Sequence, residues 1–291
     1  MKIGIHGKQF GPDNVQFIRH VLKNLQQNGA EIVISDSFQK ILNKNEIVVE
    51  SPQNYAKGDD LNSLNALITL GGDGTLLDAI THVGDKNVPI LGVNTGRLGF
   101  LATTARENID SALRDLLEGK YSLDVRSLIA LEVNDKLFNG FNFALNDFAI
   151  RKKDSTSMIV VNAYINGEFL NSYWADGVIV STPTGSTGYN ISCGGPLVLP
   201  HSDNFIITPV SPHNLTVRPI VVPDKSKLSF TIEGRGKNFL VSLDSRLATV
   251  DDSIELKVQK ADFTIKLIQL EDNNYFKTLR QKLNWGLDVR N

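Results

Sequence analysis

The chain has 291 residues, 41% hydrophobic and 21% charged, with 30 Lys+Arg against 32 Asp+Glu for a formal net charge of −2. That balance excludes the strongly basic nucleic-acid binders and acidic disordered tails, and the length suits one large domain or two ordinary ones. A single cysteine, Cys193, excludes a disulfide scaffold and a Cys-pair zinc site.

The first third alternates strand and helix signals. Ile3 to His6 is a short β-type run, and after the turn residues Gly11, Pro12 and Asp13 the residues Phe17, Ile18, Val21, Leu22 and Leu25 have the spacing of an apolar helix stripe. Gly29 is expected to stop that helix. Glu31 to Ile34 reads as a second strand and Ala66 to Leu70 as a third, running straight into Gly71-Gly72-Asp73-Gly74. Leu76, Leu77 and Ile80 restart a helix, and Pro89 introduces another apolar run, Ile90 to Val93. The alternation predicts an α/β N-terminal domain with a parallel sheet over residues 1–120.

From Tyr121 the periodicity changes to strands. Leu128 to Val133, Ile159 to Ile165, Val178 to Val180, Leu228 to Ile232, Phe239 to Leu243 and Ile254 to Val258 are separated by turns, among them Asn134-Asp135 and the hairpin signal Asn166-Gly167. Residues 121–270 are therefore expected to form a mainly β, sandwich-like C-terminal domain. Tyr275 to Leu283 reads as a helix with Phe276, Leu279 and Leu283 on one side, and residues 271–291 as a tail packing back on the N-terminal domain. The N-terminus has no signal-peptide pattern and no segment has the apolar run of a membrane span, so a soluble, cytoplasmic chain is expected.

The loop Gly71-Gly72-Asp73-Gly74-Thr75 carries the strongest chemical signal. Glycines let a backbone approach a phosphate closely, and the following helix start offers free N–H groups, so Gly71, Gly72, Gly74 and Thr75 form a candidate phosphate-donor loop. A carboxylate there repels a bare phosphate. It makes sense if Asp73 orients a hydroxyl nucleophile, accepts its proton, or reaches phosphate through a metal ion. No Gly-x-x-x-x-Gly-Lys-Ser/Thr occurs, and no Gly-x-Gly-x-x-Gly follows a strand. A second cluster, Asp176-Gly177 followed by Val178 to Asn190, empties a β run into a loop dense in hydroxyls suited to ribose and phosphate oxygens. Asn146-Asp147, in an apolar context, could hold an adenine edge and a ribose diol. The five histidines show no metal-ligand spacing and read as core or solvated residues, with no metal ligands assigned. Lys8 after Gly7 reads either as a phosphate contact or as an exposed lysine, Arg97 in its glycine-flanked loop as a contact to phosphate or to a subunit edge, and the basic run Arg151-Lys152-Lys153 most simply as a solvated turn that adds favourable potential near anionic substrates.

In order along the chain, Gly71 to Thr75, then Gly92-Val93-Asn94-Thr95-Gly96-Arg97-Leu98-Gly99-Phe100-Leu101, then Asn146-Asp147, then Asp176-Gly177 leading to Thr182-Pro183-Thr184-Gly185-Ser186-Thr187-Gly188-Tyr189, and then Gly194-Gly195-Pro196 resemble the NAD kinase family. The match runs from about Leu70 to Pro200. Similar glycine-aspartate loops in diacylglycerol-type lipid kinases and 6-phosphofructokinases make the ordered set, and not the loop alone, the informative feature. The resemblance implies transfer of the γ-phosphate of ATP to the 2′-hydroxyl of the adenosine ribose of NAD, giving NADP and ADP. It implies Asp73 as catalytic base, Gly74 lining the dinucleotide site, and Asn146, Asp147, Asp176, Thr187, Gly188, Tyr189 and Ser192 contacting the dinucleotide. It also implies NAD and ATP as substrates, a homodimer or homotetramer, and neither nucleic acid nor membrane as partner. Once that substrate is granted, phosphoryl transfer requires Mg²⁺ or another divalent cation to neutralise charge.

Two positions depart from the family pattern. Position 188 is Gly where Ala is more usual, and Trp174 stands where several members carry a basic side chain. Two rival readings remain: a lipid kinase, for which no basic amphipathic helix is found, and a regulator that binds NADP without turnover.

Overall fold

The computed structural model describes residues 1–49, 52–133, 137–153, 157–270 and 274–284. The expected turn at Asn134-Asp135 lies outside the described residues. The chain divides into two compact units, Met1–Val125 with Ile265–Asn291, and Arg126–Thr264.

The first unit contains β1 (Lys2–Gly7), α1 (Val15–Gln27), β2 (Glu31–Ser35), α2 (Asp36–Lys44), β3 (Gln53–Tyr55), β4 (Ala66–Leu70), α3 (Asp73–Val83), β5 (Ile90–Val93) and α4 (Ile109–Glu118). The strands lie in the order β5-β4-β1-β2-β3, and every pairing along that path is parallel. Such a sheet is covered on both faces, which explains the near-continuous apolar runs of β1, β4 and β5. The stripe Phe17, Ile18, Val21, Leu22 and Leu25 is the buried face of α1, as the spacing predicts. Gly29 follows that helix with a positive φ of 74°, in the left-handed region that glycine enters without a Cβ penalty. Helix α2 is an element the apolar spacing did not reveal. Its start is marked by Ser35, whose side chain accepts a hydrogen bond from the Phe38 N–H.

The second unit folds around two antiparallel sheets. After β6 (Ser122–Glu132), β7 (Phe143–Ala144), β8 (Asp147–Lys152), β9 (Ile159–Ile165), β10 (Glu168–Ala175) and β11 (Gly177–Ser181) comes the short helix α5 (Tyr189–Ser192). There follow β12 (Asn204–Val210), β13 (Ile220–Pro223), β14 (Leu228–Glu233), β15 (Asn238–Leu243), β16 (Arg246–Asp251) and β17 (Leu256–Gln269), with α6 (Tyr275–Leu283) after them in the first unit. One sheet runs β13-β12-β11-β8-β15-β16, and β10-β9-β14-β17 form the second. Inward side chains of both sheets share one core that includes Phe148, Val161, Val180, Phe205, Phe230 and Phe239. The Phe148 and Phe230 rings meet at 6.3 Å across it, which is the sandwich that the strand alternation predicts. Asn166 and Gly167 join β9 to β10 with φ values of 52° and 84°, the two positive values of a type I′ hairpin.

Helix α6 spans the residues expected of it, and of Phe276, Leu279 and Leu283 on its apolar side Leu279 alone is buried. Leu279 and Thr278 are buried, whereas Phe276 is half exposed and Leu283 also reaches solvent. Nine residues make only two and a half turns, and Phe276 turns its ring toward Tyr275 at 5.8 Å instead of inward. Among the described residues no helix is long and apolar enough to cross a membrane.

Candidate active site

In the first unit the chain leaves β1 for β2 and β3 on one side, then returns to place β4 and β5 on the other. The order reverses between β1 and β4, and ligands of open parallel sheets bind beyond the carboxyl ends of the strands at that reversal. Lys8 follows β1 there, Gly71 follows β4, and Asn94 follows β5. The glycine-rich loop therefore occupies the position the topology favours.

Gly72 is the residue before α3, and its side-chain-free backbone supplies no cap. The first N–H groups of α3, like those of any helix start, have no intrahelical partner and get none from a cap side chain, the arrangement that favours an anion. Asp73, the first residue of α3, is held rigidly. Its Oδ1 accepts N–H bonds from Leu101 at 3.0 Å and Ala102 at 2.9 Å, and its Oδ2 accepts the Phe100 N–H at 2.9 Å. Oδ2 keeps one free acceptor position. Gly99 makes this clamp possible, because a Cβ there would lie 1.9 Å from Asp73 Oδ1. Asn94 shapes the preceding turn, accepting the Gly96 N–H at 2.7 Å and donating to the Arg97 carbonyl at 2.6 Å. Arg97 itself is exposed. Lys8 Nζ donates to the Gly74 carbonyl at 3.2 Å, so its ammonium stands over the start of α3.

Beneath this loop the structure gathers side chains that the sequence spacing did not connect. His6 Nε2 lies 3.2 Å from Asp78 Oδ2, and His6 Nδ1 lies 2.9 Å from Ser35 Oγ. The His6 and His82 rings are 4.7 Å apart. Both histidines are buried, as the reading of core histidines expects, and the fold brings them beside Asp78, a neighbourhood that their spacing along the chain does not show. His6, Asp78 and His82 each offer a ligand atom, all within 4.8 Å of one another. The available signal was Asp78 and His82, four residues apart on one helix face. The His6 hydrogen bond holds the Asp78 carboxyl well below the usual carboxylate range, and burial, aided by His6, pushes His82 down to about 4.

In the second unit Asn146 and Asp147 lead into β8, and Thr182 to Gly188 follow β11, its sheet neighbour. Thr182 N–H donates to the Asn146 carbonyl at 2.9 Å, and Thr182 Oγ1 donates to the Leu145 carbonyl at 2.5 Å. Gly185 passes so close that a Cβ would lie 2.1 Å from the Asn146 carbonyl oxygen, and the Cβ position of Gly188 is 3.9 Å from Asp147 Oδ2. Asn146, Asp147 and Gly188 therefore form one cluster. Asn190, fully buried, fastens the rest of the loop by donating to the Ser186 and Pro196 carbonyls and accepting from Thr208 Oγ1. Thr187 turns its hydroxyl back onto the Thr184 carbonyl, and Ser192 is exposed.

Asp176 is not in that cluster. It stands at the opposite end of β11 and pairs with Lys152 at 2.6 Å; the five-residue strand between spans roughly 17 Å. Tyr189 places its ring 6.0 Å from the Arg151 guanidinium.

Sequence reasoning missed Asp244. Its carboxylate accepts N–H bonds from Leu145 at 3.0 Å, Asn146 at 2.8 Å and Asp147 at 3.3 Å. Burial pushes the Asp244 carboxyl up against those stabilising N–H donors. Burial, with Asp244 as the nearby like charge, raises Asp147 to about 7. The signal available was an Asp at a tight turn after a β run, where Asp244 has a φ of 52°.

Comparison with known proteins shows the family. Residues 3–121 match the ATP-NAD kinase N-terminal domain and residues 145–270 the ATP-NAD kinase C-terminal domain. The chain is 53% identical to an NAD kinase of Cytophaga hutchinsonii, 45% to one of Flavobacterium psychrophilum and 40% to one of Bacteroides fragilis, each alignment covering 100% of both chains. The fold is similar to that of yeast NADH kinase complexed with NADH (TM-score 0.84, 22% identity, covering 100% of this chain and 89% of that one). It is also similar to an NAD kinase from Archaeoglobus fulgidus in complex with ATP (TM-score 0.72, 24% identity, covering 98% and 99%). The chain belongs to the ATP-NAD kinase family.

Proposed function

We propose that this chain transfers the γ-phosphoryl group of ATP to the 2′-hydroxyl of the adenosine ribose of NAD, producing NADP and ADP. The observation that carries this reading is the Asp73 carboxylate, fixed by three backbone N–H groups at the start of α3 with one acceptor position left on Oδ2. A ribose hydroxyl is a weak nucleophile, and phosphoryl transfer depends on alignment and charge neutralisation. Asp73 Oδ2 holds the hydroxyl and takes its proton as the new O–P bond forms, and ADP departs as the γ-phosphorus leaves the β-phosphate oxygen. The free N–H groups of Gly72, Asp73 and Gly74 and the Lys8 ammonium meet the phosphates of the donor.

Asn146 and Asp147 hold the adenosine half of the dinucleotide, an amide for the adenine edge and a carboxyl for ribose hydroxyls, with Thr187, Gly188, Tyr189 and Ser192 completing that surface. Asp176, at the far end of β11, contacts the dinucleotide separately. With the free position of Oδ2 given to the attacking hydroxyl and the rest of the Asp73 carboxylate taken by N–H groups, the loop has no carboxylate oxygen to spare for a resident cation, which fits Mg²⁺ brought in on the phosphates of ATP. When bound, that ion neutralises charge on the transferred group. A cytoplasmic homodimer or homotetramer accords with the family.

The test is purified protein with NAD, ATP and Mg²⁺, with product read by an NADP-specific dehydrogenase. NADP formation supports the reading. A folded protein that binds NAD and consumes no ATP would overturn it in favour of a sensor.

A further inference from the structure

We propose that His6, Asp78 and His82 form a binding site for Zn²⁺ beneath the glycine-rich loop, separate from the cation that accompanies ATP. Two imidazole nitrogens and a carboxylate oxygen are the donor set of late first-row divalent ions, whereas Mg²⁺ and Ca²⁺ take oxygen ligands. Three protein ligands with a water in the fourth position complete a tetrahedron.

The distances suit this. Metal–ligand bonds of about 2.0 Å place tetrahedral donors about 3.3 Å apart, and His6 Nε2 to Asp78 Oδ2 is 3.2 Å. The third donor lies within 4.8 Å of both, a gap that a small turn of an imidazole closes. The supporting partners are also in place. Ser35 Oγ stands 2.9 Å from His6 Nδ1, so the hydroxyl can accept from Nδ1–H and leave Nε2 bare for the metal, the orienting contact that metal-bound histidines usually have. At His6, metal binding then needs a tautomer shift and rotation of the Ser35 hydroxyl.

His82 and Thr69 each carry a buried polar atom without a partner, as does Tyr55, whose ring lies 5.6 Å from that of His82. His82 is 7% exposed, and its Nδ1 is buried with no hydrogen bond. Thr69 is paired in register with His6 on the neighbouring strand, so both side chains project to the same face. The Thr69 hydroxyl is also buried without a partner. Buried polar groups are almost always satisfied, and an orphaned one calls for an explanation; a metal would supply the partner that the imidazole of His82 lacks. Against binding stands Lys8 Nζ, 3.7 Å from Asp78 Oδ2. Its side chain is 47% exposed and can swing outward by giving up its bond to the Gly74 carbonyl.

The experiment uses the full-length protein stripped with a chelator. Equilibrium dialysis against Zn²⁺, with metal counted by mass spectrometry, should give one equivalent per chain. Co²⁺ should give the intense visible bands of a tetrahedral site. His82→Gln should weaken Zn²⁺ binding by at least about tenfold, and Lys8→Met, which removes the competing cation, should tighten it. Because a buried histidine variant can fail to fold, the wild type is also followed by imidazole ¹⁵N shifts, where Zn²⁺ should move two of the five histidines. No retained zinc, equal affinity in a folded His82→Gln, or shifts confined to His20, His201 and His213 would each overturn the proposal. None of these readouts depends on kinase activity, so failure here leaves the proposed reaction standing.

Discussion

Asp244 holds Asn146 by its backbone: Oδ1 accepts the Asn146 N–H at 2.8 Å while the same carboxylate takes the N–H groups on either side. Asp73 does the same in the other unit for Phe100, Leu101 and Ala102. In each unit one carboxylate binds three successive amides: Asp244 thereby sets the direction of Asn146 and Asp147, whereas at Asp73 the amides fix the carboxylate itself. Asp244→Ala leaves those N–H groups of Leu145, Asn146 and Asp147 without their acceptor, which costs about 1–3 kcal/mol for each buried donor that stays unsatisfied. Denaturant unfolding should show that loss. The milder Asp244→Asn should raise the KM for NAD with little change in that for ATP.

Asp147 gives the protein a pH signature. Its folded value of about 7 lies above the ordinary 3.8, so the folded chain binds this proton more tightly than the unfolded chain does. The resulting stabilisation is complete below the unfolded value and disappears as pH rises through about 7. Thermal unfolding of the wild type between pH 5 and 8 should therefore slope downward relative to Asp147→Asn, which lacks the titration. Equal slopes in the two proteins would contradict the assignment.

Gly99 and Gly96 separate space from sequence resemblance. A Cβ at Gly99 would collide with Asp73 Oδ1 at 1.9 Å, whereas at Gly96 it meets nothing within 4 Å. Gly99→Ala should break the Asp73 clamp and lower kcat by an order of magnitude or more, the usual scale for misplacing a reacting group. Gly96→Ala should leave turnover near normal.

Lys8 sits over the loop through the Gly74 carbonyl. Lys8→Met keeps the stem and removes the charge, so the KM for ATP should rise while that for NAD is unchanged. Its effect should shrink at high salt, because the side chain is half exposed and screened.

Local signals in the sequence carried much of this fold. The α1 stripe, the Asn166-Gly167 hairpin and the passage from β4 through Gly71 to α3 depend on neighbours within a few residues. What stayed hidden depends on distant pairing. Asp244 reaches Asn146 only because β15 lies beside β8, and His6 meets Asp78 only because β1 pairs with β4, which feeds α3. The role of Gly99 needed the position of a carboxylate 26 residues earlier. Which residues of α6 are buried depends on distant pairing in the same way. Three apolar residues at helical spacing say that one face is buried, but what surrounds a two-and-a-half-turn helix decides which of the three are covered.

The most direct test of the central claim is the steady-state kcat of Asp73→Ala with NAD, ATP and Mg²⁺, measured beside NAD affinity and thermal stability. Loss of general-base assistance predicts a fall in kcat of about 10²-fold or more in a protein that still folds and binds NAD. Near-normal turnover in that variant would contradict the assignment of Asp73 to the attacking hydroxyl.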